Sequence, residues 1–403
     1  MKTKFTWITL LLVLACTAAN AQWQAVNTGL TTNNVNSVVT IGPNVLAGTD
    51  AGLFISTNNG NSWTAVADTN FAGQDVKQLA VSGSTVFAAT FGHGVFASTD
   101  NGVTWAAKNT GFTYLYACGI AVAGTTVYAS MSFDGVYTSI DNGTTWVKST
   151  NAVLNGITVN SIIMSGTNMI AASGSCNGGT NGGVFLSTNG GLTWAATSVT
   201  GDADALAVIG STIFAATQNG VFKSADNGLT WNPTTNTSGI IDNATALIAG
   251  GTKLLVGCPY SMYSTVDNGT TWSDISTGAG AANLSVTSFA VNSTYVFAGN
   301  IYHSVGVWRR PLSELGITAG IEGLSSDDGL IMYPNPVTDK LVLEVSDYKN
   351  TTVEVFNLQG QLIQRIVPES SATVISTGSF SPGLYVLKVN SPAGSAVRRF
   401  IKE

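Results

Sequence analysis

Short apolar runs alternate along this chain with clusters of Gly, Asn, Ser and Thr; Val86–Ala89, Val127–Ser130 and Ile213–Ala216 are examples. The runs come in sets of four. In the first set, Asn36–Thr40, Val45–Gly48, Leu53–Thr57 and Trp63–Val66 predict four antiparallel strands. The set returns over Val76–Lys108, Tyr116–Lys148, Thr158–Ala196, Ala203–Pro233 and Ala244–Ile275. One phrase joins the third and fourth strands of each: Ser or Thr, any residue, Asp or Asn, Asn or Gly, Gly, any residue, Thr or Ser, Trp. It reads STNNGNSW at Ser56–Trp63, STDNGVTW at Ser98–Trp105 and SIDNGTTW at Ser139–Trp146, then STNGGLTW at Ser187–Trp194, SADNGLTW at Ser224–Trp231 and TVDNGTTW at Thr265–Trp272. The tryptophans lie 42, 41, 48, 37 and 41 residues apart. A period of about 40 predicts repeated supersecondary units packed side by side.

Each phrase has turn chemistry. The acidic or amide side chain at Asn58, Asp100, Asp141, Asn189, Asp226 and Asp267 is expected to accept backbone N–H groups two or three residues on, and Gly supplies the positive φ. Asn at positions 58 and 189 makes the same turn. The tryptophans Trp63, Trp105, Trp146, Trp194, Trp231 and Trp272 open the returning strands and are expected to pack between neighbouring sheets, each N–H finding a partner. The phrase resembles the Asp box, or BNR repeat, of sialidase-like β-propellers. The resemblance implies an all-β ring in which the boxes are scaffold.

The seventh unit offers Val286–Val291, Tyr295–Ala298 and Gly306–Arg310, but no box and no fourth strand. The missing strand is found at the other end of the chain. Trp23-Gln-Ala-Val-Asn-Thr-Gly-Leu30 parallels Trp105-Ala-Ala-Lys-Asn-Thr-Gly-Phe112 almost residue for residue. A seven-bladed β-propeller of four-stranded antiparallel blades follows, closed by pairing of the N-terminal strand with the last blade, which protects its edges.

The repeat stops near residue 313. Residues 314–330 read as a Gly/Ser/Asp-bearing linker. Residues 331–403 read as a small β-sandwich domain with strands at Leu341–Val345, Thr352–Phe356, Leu362–Ile366, Ala372–Ile375, Gly383–Val389 and Ala396–Ile401. It opens on the rigid run Tyr333, Pro334, Asn335, Pro336. Val353–Leu362, Pro382–Val389 and Arg398–Glu403 follow in order. The series resembles the type A C-terminal sorting domain of type IX (Por) secretion cargo of Bacteroidetes. The resemblance implies the type IX secretion machinery as a partner and an extracellular or outer-membrane-surface location.

Composition fits this picture. Only 9% of the 403 residues are charged, 45 are Gly and the net charge is −6, which argues against a nucleic-acid partner. Residues 1–21 read as a cleaved secretory signal: Lys2 and Lys4, the apolar run Trp7–Ala15, and Ala19-Asn20-Ala21 before Gln22. A rival reading at Val13–Cys16, which loosely resembles a lipobox, would lipidate Cys16. No later run is long enough for a transmembrane helix. Cleavage leaves Cys118, Cys176 and Cys258; at most one disulfide forms among three, and buried free thiols are the simpler expectation.

The chemistry of a sialidase does not fit. That activity needs an arginine triad, a Tyr–Glu pair and an acidic Asp. Up to residue 320 the mature chain holds only Arg309 and Arg310, adjacent on one strand and therefore on opposite faces, and one Glu, Glu314. A glycoside hydrolase with two Asp across a cleft stays as the alternative, with Asp50, Asp134, Asp202, Asp204 and Asp242 outside the boxes. The favoured reading is a non-catalytic propeller that binds glycan or protein. Its ligand face is expected opposite the boxes, on loops holding Asp50, Phe91, His93, Phe112, Tyr114, Phe133, Asp134, Tyr260, Tyr302 and His303. The competing reading makes these aromatics a core cap over the channel. His93, His303 and Asp50 occupy equivalent loops, a pattern too loose to predict a metal. No cofactor is expected.

Overall fold

The computed structural model describes residues 22–402 except 124–125, 133, 151–156, 166–167, 175–181, 236–238, 280–283, 302–305, 318–329, 334–336, 346–347, 350, 358–361, 382 and 392–393. The expected signal at residues 1–21 lies outside the described residues. Seven four-stranded antiparallel sheets form the main body. Blade one holds Val35–Ile41, Asn44–Thr49, Gly52–Ser56 and Thr64–Ala65 in that order. Blades two to six repeat the order from first strands at Val76–Ser82, Ala117–Ala123, Thr158–Ser165, Ala203–Ile209 and Ala246–Gly250. Blade seven takes Val286–Val291, Tyr295–Asn300 and Val307–Pro311 from the chain's far side and Gln24–Ala25 from its beginning. Each first strand contacts the first strands of both neighbouring blades, and the cycle closes from blade seven to blade one. The protein is a seven-bladed β-propeller.

Second strands such as Asn44–Thr49 and Thr85–Thr90 are buried at every residue, which explains their unbroken apolar runs. Small residues sit where the next blade presses closest. A Cβ on Gly48 or Gly257 would come within 2.7 or 2.6 Å of Val76 or Val286 of the following blade.

First strands face the axis with no strand beyond them, so their backbone groups need other partners. Side chains from the preceding blade supply these. The register shifts at the second or third residue of the first strand in six blades, leaving Asn36, Lys77, Cys118, Asn160, Asp204 and Thr287 as bulge residues. Thr287 Oγ1 donates to Val35 O at 2.8 Å, Asn36 Nδ2 to Val76 O at 3.0 Å and Asn160 Nδ2 to Ala203 O at 3.2 Å. One residue further on, Ser288, Ser37, Gln78 and Ser161 accept the N–H of Val38, Leu79, Ile120 and Leu206. Two polar belts thus link blade to blade around the axis.

The seam is closed as the sequence predicts. Gln24 pairs with Arg309 and Ala25 with Trp308. Trp23 is fully buried, and its indole donates to Ile275 O of blade six at 2.8 Å. Trp63 of blade one donates to Val26 O at 2.7 Å. Arg309 and Arg310 do point to opposite sides. Arg309 binds Gln24 and Asn59 O of blade one, and Arg310 binds Ile275 O of blade six. Both are buried and structural.

The packed body runs four residues past the expected end at 313. A short helix, Leu312–Leu315, leads to Ile317, and Leu312, Leu315 and Ile317 are buried in the core cluster of Ala246 and Leu255. Lys253 Nζ donates to Leu315 O at 2.5 Å. Apolar spacing outweighs the Ser and Gly that made this stretch read as linker.

The C-terminal sheets form a sandwich. One holds Leu330–Tyr333, Lys340–Val345 and Ala372–Ser376; the other holds Leu362–Ile366, Thr352–Asn357, Gly383–Ser391 and Gly394–Lys402. Leu341, Leu343 and Ile375 from one meet Val353, Val355, Leu387 and Phe400 from the other. The six expected strands are present, with a seventh, Leu330–Tyr333, just before the Pro334–Pro336 run, which lies outside the described residues. Cys118 is disulfide-bonded, against the expectation of free thiols, and Cys258 is free and buried. A bulge residue beside a neighbouring loop is a position that spacing alone does not single out.

Candidate ligand-binding face

The two ends of the ring carry different connections. At one end, the turn end, lie the repeated phrases and the hairpins joining first and second strands. At the other, the loop end, lie the connections from second to third strand and from each outer strand to the next blade.

The repeated turn is a closed hydrogen-bond unit. In blade two, Ser98 Oγ donates to Asp100 Oδ1 at 2.7 Å and accepts the Gly102 N–H at 2.9 Å. Asp100 accepts the N–H groups of Val103 and Thr104 at 3.1 and 2.9 Å. The reach is three and four residues, one further than expected, because Asn101 and Gly102 are both left-handed, at φ 61° and 86°. The hydroxyl and N–H of Thr104, and of Thr145 and Thr230 in their turns, hold Asp100, Asp141 and Asp226 at about 2, and Thr271 lowers Asp267 likewise. Asn58 and Asn189 accept the matching N–H of Ser62 and Thr193 at 2.9 Å each. The left-handed Asn also faces the preceding blade: Asn44 Nδ2 donates to Asn101 O, and Asn168 Nδ2 to Asn227 O. Trp63, Trp146, Trp194 and Trp231 are buried, and Trp105 and Trp272 half-buried. The indoles of Trp63, Trp146 and Trp272 bond the outer strand or loop of the preceding blade; those of Trp105, Trp194 and Trp231 bond a Gly O in their own turn. Every polar group of the turn serves the scaffold.

The loop end is irregular. Asp50 is exposed and held by Thr32 Oγ1 at 2.6 Å and Asn34 Nδ2 at 2.7 Å. Asp134 accepts the Tyr137 hydroxyl at 2.6 Å and pairs with Lys148. Burial pushes Asp134 up, but the Lys148 and Tyr137 hydrogen bonds outweigh it and its pKa is lowered. Phe112 sits in the core between blades two and three, stacked on Trp146 at 4.9 Å and edge-on to Tyr137 at 5.0 Å. Phe91 is half-buried, with Tyr116 at 5.1 Å and Lys77 Nζ 5.4 Å from its ring centre. His93 is half-buried, and its carbonyl accepts Asn109 Nδ2. Tyr114 and Tyr260 are exposed, at 56% and 57%. Tyr260 has φ 68°, and every other left-handed non-glycine among the described residues is Asn. Such a backbone in a bulky residue stores strain of about 1–3 kcal/mol. Phe133, Tyr302 and His303 lie outside the described residues.

Sequence reasoning missed Lys77, Leu115 and Tyr116, because Tyr116 was read as the start of a strand. Leu115 and Tyr116 are 37% and 48% exposed. Continuing the match of Trp23–Leu30 to Trp105–Phe112 by four residues would have found them. The buried acid of this end is Asp204. Burial, with the nearby Asp202 charge, pushes it up to about 7, against one hydrogen bond from Asn160 Nδ2 at 3.0 Å. Asp202 is raised by burial alone. Among the described residues no group of His, Cys, Asp and Glu is placed to hold a metal.

Residues 331–403 match the family described as the secretion system C-terminal sorting domain. The tail marks the chain for type IX export. It indicates a secreted or outer-membrane-surface protein. No helix of the described residues is long and apolar enough to cross a membrane. No curated protein matches the chain. Among solved structures it is similar to PorZ, a surface component of the type-IX secretion system of Porphyromonas gingivalis, at 14% identity and TM-score 0.53, over 93% of this chain and 60% of that one. It is similar to the GH74 enzyme of Niastella koreensis at 19% identity and TM-score 0.53, over 69% of this chain and 43% of that one. It is also similar to YCF48 bound to D1 peptide, at 14% identity and TM-score 0.53, over 72% and 96%. These likenesses concern the fold. The chain spans well under two thirds of the length of PorZ and of the GH74 enzyme.

Proposed function

We propose that this is an Asp-box propeller of the sialidase-like group that works as a non-catalytic binding module outside the cell. In this reading, signal residues 1–21 are removed, residues 22–313 form the module, 314–330 the linker and 331–403 the sorting domain. The module holds a glycan or a surface protein at its loop end. One observation carries the reading: Asp50 and Asp134 are tied to neighbouring side chains, while Tyr114, Leu115, Tyr116 and Tyr260 stand exposed. The surface setting named for PorZ and the peptide named for YCF48 are consistent with a propeller that binds rather than cuts. A glycan and peptide array run beside reducing-end assays tests it; turnover of any bound glycan would refute it. Fusing residues 331–403 to a periplasmic reporter in a type IX-competent host should bring the reporter to the surface, and retention in the periplasm would count against the tail's role.

A hydrolase reading rests on Asp204, an acid with a pKa suited to proton donation at neutral pH. Its nearest carboxylate, Asp202, enters from the same strand rather than from across a cleft, which favours binding over hydrolysis.

A further inference from the structure

Two segments of this ring share one backbone and differ in side chains. Thr32-Asn33-Asn34 leads into blade one, and Tyr114-Leu115-Tyr116 leads into blade three. Their carbonyls do the same work. Asn33 O accepts the Gly306 N–H of blade seven, and Leu115 O accepts the Gly92 and Gly94 N–H groups of blade two. Asn34 O accepts the Asp50 N–H, and Tyr116 O accepts the Ser132 N–H. Blade one therefore shows that the scaffold needs no aromatic here. Thr32 and Asn34 fold inward onto Asp50, whereas Tyr114, Leu115 and Tyr116 are all exposed, three in a row. Singly exposed apolar residues need no explanation, but a pinned run of three does.

We propose that Tyr114 and Tyr116 form a stacking platform for a neutral glycan chain. The proposal rests on the binding-module reading and names its ligand class. The platform is held rigid: Leu115 O takes two N–H groups, and Tyr116 packs on Phe91, whose ring also carries Lys77. Rigid rings lose little entropy on binding. The charges nearby cancel. Lys77 pairs with Asp75 at 2.5 Å, and Lys148 pairs with Asp134. An anionic polymer finds no unpaired Lys here. An extended peptide added as a strand needs backbone acceptors, and the Leu115 and Tyr116 carbonyls are already taken. What remains on offer is ring faces and phenol hydroxyls, which suit the C–H faces and hydroxyls of sugars.

The full-length chain, run through native gels containing laminarin, xyloglucan or mannan, with polygalacturonate as the charged probe, tests this. At least one neutral polymer should retard it, equally at low and high salt. Tyr114→Ala and Tyr116→Ala should each weaken that binding about tenfold, and Tyr116→Phe should keep it. The triple exchange Tyr114→Thr, Leu115→Asn, Tyr116→Asn, copying blade one, should keep the fold and abolish retardation. Unfolding of the triple exchange would make the shelf structural and overturn the proposal. So would retardation by polygalacturonate alone, or by none of the four. If the triple exchange still binds a neutral polymer and Tyr260→Ala does not, the platform is wrong while the binding-module reading stands. Release of reducing ends sinks that reading, and the platform then stands or falls on the triple exchange.

Discussion

At the turn end, six turns repeat one set of bonds: a hydroxyl, an acid or amide, two left-handed residues and an indole. At the loop end, equivalent positions hold Asn33 or Leu115, Asn36 or Asp204, Thr90 or Asn300. The contrast has a physical basis. Each turn must dock on the preceding blade in the same way, so its chemistry cannot drift without opening the ring. The loop end has only to pin its backbone, which leaves its side chains free to differ. Repetition marks the scaffold, and departure from repetition marks where this ring can be specific.

The strongest way to break the comparison is to remove what both ends depend on. Deleting residues 22–30 takes away Trp23, Val26 and the strand paired with Trp308 and Arg309. Thermal unfolding should show loss of the cooperative transition for the whole ring, and an unchanged transition would mean closure does not hold it together. Next in size, Trp146→Ala should cost roughly 3–5 kcal/mol by denaturant titration. Trp105→Ala should cost less, because its ring is half-buried.

The ends should also answer pH in opposite senses. Asp204 binds its proton more tightly when folded, at about 7 against 3.8, so it favours the folded state below pH about 4, and that stability is lost as pH rises towards 7. Asp204→Asn should raise the melting temperature at pH 8 and leave it nearly unchanged at pH 4. Asp141 is held at about 2 against 3.8, so its contribution is complete above pH about 4 and fades as pH falls towards 2. Asp141→Asn, which copies the first and fourth turns, should therefore flatten melting temperature between pH 4 and 2. Smallest is Tyr260→Gly, which relieves the left-handed strain and should stabilise by about 1 kcal/mol. A loss of stability there would mean Tyr260 is a packing residue.

Much of the scaffold was legible in the sequence, because a turn that docks the same way six times leaves the same letters six times. Ring closure was legible for the same reason: the segment Trp23–Leu30 repeats Trp105–Phe112. The belts around the axis were not. Asn36, Lys77, Cys118, Asn160, Asp204 and Thr287 share a bulge but no chemistry, so no pattern announces them. Phe112 was expected among ligand-facing aromatics and lies against Trp146, since composition cannot tell a loop that folds back from one that stands out. Tyr116 hid at the boundary of a strand.

The wedge formed by Leu312, Leu315 and Ile317 sets how the ring carries a mechanical load. The closing strand enters from the turn end, and the chain leaves by the same end, over the Gly250–Lys253 hairpin of blade six. A pull on the C-terminal side therefore reaches the ring at Ile317 and spreads first into blades six and seven. Arg310 and Trp23, both bonded to Ile275 O, lie directly beneath that point. Tension is borne by the most heavily fastened seam of the ring, and the loop end is turned away from whatever holds the tether.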